Sequence, residues 1–145
     1  MEKVSIVIPA HNEEKRIGKT LEKYLEYFKN LKNRHFLDFE IIVILNACKD
    51  KTLEIVKKYK CKELKILDFE RGGKGFAVTE GFKEALKGNS SLIGFVDADM
   101  ATSPESFYDL IKNIGNHHGI IASRYVPNAV IRKKQPISRI IVSRG

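Results

Sequence analysis

The alternation of two apolar patterns most constrains the fold of this chain of 145 residues. Short runs rich in β-branched residues alternate with longer segments in which apolar residues recur at three- and four-residue spacing. The short runs are typical of buried parallel strands, and the longer pattern is typical of amphipathic helices. The sequence therefore predicts five strands, at residues 4–8, 40–45, 64–69, 92–96 and 119–123.

Four helices are predicted between and after these strands, at residues 17–31, 52–59, 76–87 and 104–116. The last has a clear start, because Ser103-Pro104-Glu105 combines a hydroxyl cap, a first-turn proline and an early acid. Since parallel neighbours need crossover helices, the alternation predicts an α/β fold with an open, mainly parallel, Rossmann-like sheet and helices on both faces.

The overall composition fits one domain over residues 1–145, because 43% of the residues are hydrophobic and 30% are charged. No apolar run approaches the roughly 20 residues of a membrane span, and no signal peptide is recognisable, so we expect a cytoplasmic protein. Cys48 and Cys61 lie in no CxxC pair or Cys/His cluster, which argues against a disulfide or zinc site. A loop is predicted over residues 125–135 and the start of a helix over 136–145, so the sequence is expected to stop inside a larger domain.

The net charge of +8 is unevenly distributed along the chain. Residues 1–123 are close to neutral and form the predicted core, whereas residues 124–145 contain six basic residues and no acid. They are Arg124, Arg132, Lys133, Lys134, Arg139 and Arg144. Such a cluster fits a site for phosphate or for an anionic surface, and charge alone leaves a solvated tail open.

Polar residues follow each predicted strand. In chain order they are Pro9-Ala10-His11-Asn12-Glu13, Asn46 with Asp50, Arg71-Gly72-Gly73-Lys74, Asp97-Ala98-Asp99, and Arg124. In open α/β sheets ligands bind beyond the carboxyl ends of the strands, which all meet at one edge. The sequence therefore predicts a binding site at this edge, with His11 as a wall of the pocket.

Asp97 and Asp99 are the strongest candidates for metal binding and catalysis in this set. Carboxylates at positions i and i+2 of an extended segment point the same way and offer hard oxygen ligands for Mg²⁺ or Mn²⁺. A metal there would neutralise the charge that builds on a nucleoside diphosphate leaving group. The pattern leaves open a contact of one carboxylate with a ribose hydroxyl, and a role in a turn or a helix cap.

The glycine loop Arg71-Gly72-Gly73-Lys74-Gly75 follows a strand and opens a helix, so its amides and Lys74 are placed to meet an anion. It is not a dinucleotide fingerprint, because G-x-G-x-x-G counted from Gly73 would need a glycine where Val78 stands. A turn that needs glycine only for its tight geometry remains the alternative.

Four segments together resemble family 2 glycosyltransferases of the GT-A fold, specifically the dolichyl-phosphate hexose synthases. SIVIPAHNEEKRI resembles the opening strand and nucleotide loop, DFERGGKGFAVTEGF the glycine-lysine loop, FVDADMATSP the metal motif and ASRY the phosphate-binding strand end. Their order and spacing extend the resemblance over nearly the whole chain, as the N-terminal portion of the catalytic domain.

The resemblance assigns roles to individual residues. It implies a nucleoside pocket lined by Pro9, Ala10, His11 and Glu13, with Lys74 near the nucleotide. It implies that the Asp97-Ala98-Asp99 segment meets the donor, with Asp97 and Asp99 as the catalytic, metal-binding and ribose-binding pair, and that Arg124 contacts the donor phosphates. The acceptor arginines correspond to Arg139 and Arg144.

One segment departs from the family pattern. Where the family commonly has V-D-D-G-S-x-D-G-T, this chain reads ILNACKDKT, so both early acids are absent. The acid at this point contacts the nucleotide base in the family, which leaves the base undetermined here. The Asn46 amide is still able to pair with a uracil or guanine edge.

The resemblance implies a metal-dependent, inverting transfer of a hexose from UDP-glucose or GDP-mannose to a polyprenyl or dolichyl phosphate at the cytoplasmic face of a membrane. The cofactor would be Mn²⁺ or Mg²⁺, and GGKGFAV with DADMAT slightly favours UDP-glucose. An anionic phosphate acceptor needs no general base.

Three alternatives remain at this point: a glycosyltransferase with a saccharide acceptor, a nucleotidyltransferase-like enzyme that forms a sugar nucleotide, and a nucleic-acid-binding module. The last is disfavoured and no nucleic acid is expected as a partner, because Asp97 and Asp99 share the predicted edge and few aromatic residues accompany the arginines.

Overall fold

The computed structural model describes residues 1–121 and 129–132. In this part of the chain six strands form one sheet, with four helices packed against it. The elements are β1 (Lys3–Ala10), α1 (Ile17–Asn33), β2 (Asp38–Asn46), α2 (Thr52–Lys57), β3 (Leu64–Phe69), α3 (Lys74–Leu86), β4 (Leu92–Phe95), α4 (Pro104–Asn113), β5 (Gly119–Ile121) and β6 (Ala129–Arg132). The strand order is β3-β2-β1-β4-β6-β5.

The first four strands form the parallel part of the sheet. At their carboxyl ends Ala10 pairs with Leu45 across β1 and β2, and Asn46 pairs with Phe69 across β2 and β3. β6 runs antiparallel to both β4 and β5. The predicted mainly parallel sheet is confirmed, and the loops after β1 to β4 all leave from one edge.

Two apolar clusters cover the two faces of the sheet. Val4, Ile6 and Ile8 of β1 point into the larger cluster, where residues of α1, α2 and α4 also pack. Val7, between them, points to the opposite face and packs with residues of α3. Because successive strand residues face opposite sides, this alternation explains why β1 is buried on both faces and confirms the prediction of helices on both sides.

The prediction of a loop over residues 125–135 is wrong in part, because β6 occupies Ala129–Arg132. Val130 and Ile131 are β-branched, but a run of three apolar residues is too short to carry a periodic signal. The strand is explained by its neighbours, since β4 and β5 supply hydrogen-bonding partners for its backbone on both sides. The helix predicted over residues 136–145 lies outside the described residues.

Gly81 sets how closely α3 approaches the sheet. A Cβ atom at this position would lie 2.2 Å from Cγ1 of Val7, so only glycine permits the observed spacing between α3 and β1. The N-terminus of the same helix carries Lys74 at the carboxyl edge of the sheet. Within residues 1–121 and 129–132, no helix combines the length and apolar composition that crossing a membrane requires.

Candidate functional site

A cleft of about 480 Å³ opens at the carboxyl edge of the parallel strands. The segments that follow β1, β2, β3 and β4 all contribute to its walls. Its lining residues are Pro9, His11, Glu13, Asn46, Gly72, Gly73, Lys74, Asp97, Ala98 and Asp99. Eight of these were predicted for the site from the sequence. The other two, Gly72 and Gly73, were predicted only for the glycine loop.

Among the described residues, one predicted site residue, Ala10, does not line the cleft. Ala10 is buried within β1 and accepts a hydrogen bond from Sγ of Cys48 at its carbonyl oxygen. Arg124, Arg139 and Arg144 lie outside the described residues. Their proposed roles therefore remain predictions.

Asp97 and Lys74 form an ion pair inside the cleft. Asp97 follows β4 closely, Lys74 is the first residue of α3, and Nζ of Lys74 lies 2.5 Å from Oδ1 of Asp97. The Asp97 side chain is 24% exposed and that of Lys74 is 49% exposed. Both residues were predicted for the site, but their pairing was not, because no local pattern links the end of β4 to the start of α3.

The segment Asp97-Ala98-Asp99 is held by a hydrogen bond from α1. The hydroxyl of Thr20, a buried residue of α1, donates a hydrogen bond of 2.5 Å to the carbonyl oxygen of Ala98. Because this bond is enclosed between the helix and the sheet, it fixes the backbone that carries both carboxylates. The sequence analysis did not predict this role of Thr20, because the pattern of α1 marks it only as a small residue of an amphipathic helix.

Asp99 is exposed and takes part in a turn. Its Oδ1 accepts a hydrogen bond of 2.9 Å from the amide of Ala101, and Met100 between them has a φ of 63°. Asp99 therefore does have the turn role that the sequence left open. Within the described part of the chain its Oδ2 has no hydrogen-bond partner, so this oxygen stays available to a ligand.

His11 links the segments that follow β1 and β2. Its Nδ1 lies 2.8 Å from the carbonyl oxygen of Asn46. Since a carbonyl oxygen only accepts, Nδ1 carries a proton, and Nε2 lies 3.4 Å from the side-chain nitrogen of Asn12. His11 lines the cleft, and its role toward a ligand stays a prediction.

Asn46 presents a buried side-chain amide to the cleft. The residue is 3% exposed, ends β2, and uses its backbone carbonyl to hold His11. Among the residues that the structure describes, none forms a hydrogen bond with its side chain. A buried polar group without a partner costs free energy, so a ligand that pairs with this amide would recover it.

The loop after β1 is fastened to the start of α2. The amide of Glu13 donates to Oγ1 of Thr52 at 2.9 Å, and the carboxylate of Asp50 accepts from the amides of Thr52 and Glu14 at 2.9 and 3.2 Å. Burial raises the pKa of the Asp50 carboxyl, but the hydrogen bonds from Thr52 and Glu14 outweigh it and hold that pKa below its ordinary value. The Glu13 side chain pairs with Arg16, so its charge is compensated.

The glycine loop contributes Gly72, Gly73 and Lys74 to the lining of the cleft. Gly73 has a φ of 105° and caps α3 without a side-chain hydrogen bond, and the first turn of the helix has no acid. The positive φ explains why the chain has glycine at position 73. The free amides of the first turn of α3 are able to bind an anion. The guanidinium of Arg71 lies 4.5 Å from the ring centroid of Phe76, a contact that the sequence did not predict.

The side chains of the cleft could hold a metal ion only if a bound ligand supplies further coordinating oxygens. No group of three or more His, Cys, Asp and Glu side chains that could hold a metal occurs in residues 1–121 and 129–132. Two carboxylates, Asp97 and Asp99, line the same cleft. Mg²⁺ is commonly held by one or two carboxylates together with substrate phosphates, and this pair fits that arrangement.

Curated relatives of this chain are enzymes that transfer sugars. Dolichyl-phosphate beta-glucosyltransferase ALG5A of Trichomonas vaginalis is 36% identical over 116 residues, which cover 77% of this chain and 35% of that protein. The relative ALG5C of the same organism is 38% identical over 115 residues, covering 76% of this chain and 33% of that protein. The chain spans about a third of the length of these relatives.

Solved structures confirm the GT-A fold that the resemblance implied. The mannosyltransferase PcManGT from Pyrobaculum calidifontis, in complex with GDP-Man and Mn²⁺, superposes with a TM-score of 0.70 over 90% of this chain and 44% of that chain, at 15% identity. S. aureus TarS 1–349 in complex with UDP-GlcNAc is 28% identical, with a TM-score of 0.56 over 82% of this chain and 32% of that chain.

The family is established by the sequence itself. The model of the family described as "Glycosyl transferase family 2" matches residues 5–145, which is nearly the whole chain. The relatives named dolichyl-phosphate beta-glucosyltransferase agree with the predicted dolichyl-phosphate hexose synthase type. The chain therefore belongs to glycosyl transferase family 2.

Proposed function

We propose that this chain is the donor-binding part of an inverting glycosyltransferase that moves a hexose from a nucleoside diphosphate sugar to a polyprenyl phosphate. The observation that carries the proposal is the cleft itself, which gathers a buried amide, a lysine and the two aspartates Asp97 and Asp99 at one edge of the sheet. Its volume of about 480 Å³ is in the range of small-molecule sites. Dolichyl-phosphate beta-glucosyltransferase ALG5A, at 36% identity, supports the acceptor class.

The donor would span the cleft from Asn46 to Asp99. The Asn46 amide has both a donor and an acceptor, and pairs with the N3–H and O4 of uracil or with the N1–H and O6 of guanine. The family resemblance implies UDP-glucose or GDP-mannose as the donor, and the UDP-GlcNAc complex of TarS supports a uridine nucleotide. The diphosphate would lie by Lys74 and the open first turn of α3, where charge and helix dipole both favour an anion.

Asp97 and Asp99 would hold Mn²⁺ or Mg²⁺ together with the diphosphate oxygens. When bound, the metal supplies positive charge that stabilises the leaving nucleoside diphosphate. The Thr20 bond to Ala98 keeps the two carboxylates in place during this step. Lys74 adds a second positive charge on the same side of the cleft.

The transfer is a single displacement at the anomeric carbon. A phosphate oxygen of the acceptor forms the new bond to this carbon as the bond to the diphosphate oxygen breaks, and the electron pair leaves with the nucleoside diphosphate. Attack opposite the leaving group inverts the configuration. The acceptor oxygen is already anionic near neutral pH, so no side chain needs to remove a proton.

The basic segment at residues 124–145 would serve the acceptor side. Arg124 would contact the donor phosphates, and Arg139 and Arg144 would bind the polyprenyl phosphate, because guanidinium groups pair well with phosphate oxygens. The surrounding positive charge would hold the protein at the cytoplasmic face of a membrane that contains anionic lipids.

Calorimetric titration with UDP-glucose and with GDP-mannose tests the donor site. Binding is measured with Mn²⁺ and with a chelator, because the chain spans only about a third of its relatives and turnover is not assumed. We expect metal-dependent binding of one of the two nucleotides. The variant Asp99→Ala should lose this dependence, whereas Asp109→Ala, which removes an exposed carboxylate on α4, should bind as the wild type does. Equal binding with metal and with chelator would refute the metal site, and no binding of either nucleotide would refute the proposed donor site.

A further inference from the structure

Lys74 places a cation at Asp97, one of the two aspartates of the cleft. Nζ of Lys74 lies 2.5 Å from Oδ1 of Asp97, and in the described part of the chain no other cation pairs with this carboxylate. The remaining carboxylate, Asp99, has no ion-pair partner among the described residues. The two carboxylates that would hold a metal therefore differ in local charge, because Lys74 neutralises Asp97 but not Asp99.

An ammonium group and a divalent cation compete for the same carboxylate. The ammonium donates hydrogen bonds to the lone pairs that a metal would use, and like charges a few ångströms apart repel. Lys74 thus weakens metal binding as long as it stays on Asp97. A nucleoside diphosphate changes the balance, because its phosphate oxygens offer the ammonium another partner.

We propose that Lys74 is a displaceable counter-cation, which pairs with Asp97 in the free protein and moves to the donor phosphates when metal and nucleotide bind together. The inference rests on the proposed function, since it assumes that the cleft binds a nucleoside diphosphate. It adds a coupling that the proposed function does not require. Metal binds weakly to the free protein, and each ligand strengthens the binding of the other by the same factor.

The position of Lys74 permits this movement. It is the first residue of α3, its side chain is 49% exposed, and its flexible stem lets Nζ change partner without a shift of the helix. Next to it, a Cβ added at Gly75 would meet nothing within 4 Å, so there is open space beside the loop. The open amides of the first turn of α3 lie on the same segment and favour the arrival of an anion.

The test compares Mn²⁺ binding to Lys74→Met and to wild type, by calorimetry, first without nucleotide and then with UDP. Removing the ammonium should tighten Mn²⁺ binding to the free protein by about two- to fivefold, the range expected for a partly exposed ion pair. The gain in Mn²⁺ affinity on adding UDP should be smaller than in wild type. Lys83→Met is the matched control, because Lys83 lies on the same helix and pairs with Glu80 away from the cleft.

Two further measurements keep the test decisive. Lys74→Arg retains the charge and should leave Mn²⁺ affinity for the free protein at the wild-type level, and thermal melting verifies that all variants are folded. Unchanged or weaker Mn²⁺ binding to Lys74→Met would overturn the inference. Failure of the wild type to bind UDP with Mn²⁺ would instead refute the proposed donor site, while the comparison without nucleotide would still decide whether Lys74 opposes the metal.

Discussion

At the scale of single residues, Asp97, Asp99 and Asn46 form part of the polar lining of the cleft, because each ends or follows a strand whose carboxyl end lies at the common edge. Their contacts depend on groups far away in the chain, such as Lys74 on Asp97 and Thr20 beneath Ala98. No periodicity encodes such pairs, because they arise only when the helices are packed.

Asn46 gives a prediction at this scale. Replacing it with Leu removes the buried amide that has no hydrogen-bond partner among the described residues, so we expect nucleotide affinity to fall by about tenfold. The thermal stability should not fall, because an apolar side chain of similar size avoids burying an unpaired amide. Calorimetry and thermal melting measure the two effects, with Asn30→Leu on the exposed surface of α1 as control. A large loss of stability would show that the amide has a structural partner.

At the scale of secondary structure, the sequence predicted the elements that carry their own pattern. The α1 helix and the strands β1 to β4 are long or strongly apolar, and their predicted positions match the observed ones closely. β6 escaped prediction because it depends on the free edges of β4 and β5 rather than on its own composition. The start of α3 at Lys74 also lies earlier than predicted, because Gly73 adopts a positive φ and turns the chain directly into the helix.

The contact of α3 with β1 gives the second prediction. Gly81→Ala should destabilise the protein by about 1–3 kcal/mol, because the added methyl group would overlap Cγ1 of Val7 in a close-packed layer. Gly75→Ala lies in the same helix, where an added Cβ meets nothing within 4 Å, and should be neutral or stabilising by up to about 1 kcal/mol. Urea unfolding of both variants measures the free energies. Equal effects at the two positions would mean that helix propensity, and not the approach to Val7, governs Gly81.

At the scale of the whole molecule, the charge distribution separates two parts of the chain. The core of residues 1–123 is close to neutral and contains the cleft, whereas residues 124–145 carry positive charge without any acid. The sequence alone leaves open whether this segment serves a phosphate, a membrane or only solubility. The proposed function favours the first two, because a polyprenyl phosphate acceptor is a phosphate attached to a lipid chain.

Charge reversal in this segment tests its role at the membrane. Each basic residue near an anionic surface contributes about 1 kcal/mol to binding, so reversing several of them should abolish it. The variant carries glutamate at Arg132, Lys133, Lys134, Arg139 and Arg144. Sedimentation with vesicles of phosphatidylcholine and phosphatidylserine measures the bound fraction, and added salt should weaken wild-type binding because the attraction is screened.

A matched control variant distinguishes the effect of the basic segment from the effect of the net charge of the protein. It carries glutamate at five exposed lysines in and around α2, namely Lys51, Lys57, Lys58, Lys60 and Lys62. If the basic segment alone faces the membrane, this variant should retain most of the binding although its net charge changes equally. Equal loss in both variants would mean that overall charge attracts the protein, and unchanged binding after reversal in the basic segment would contradict its membrane role.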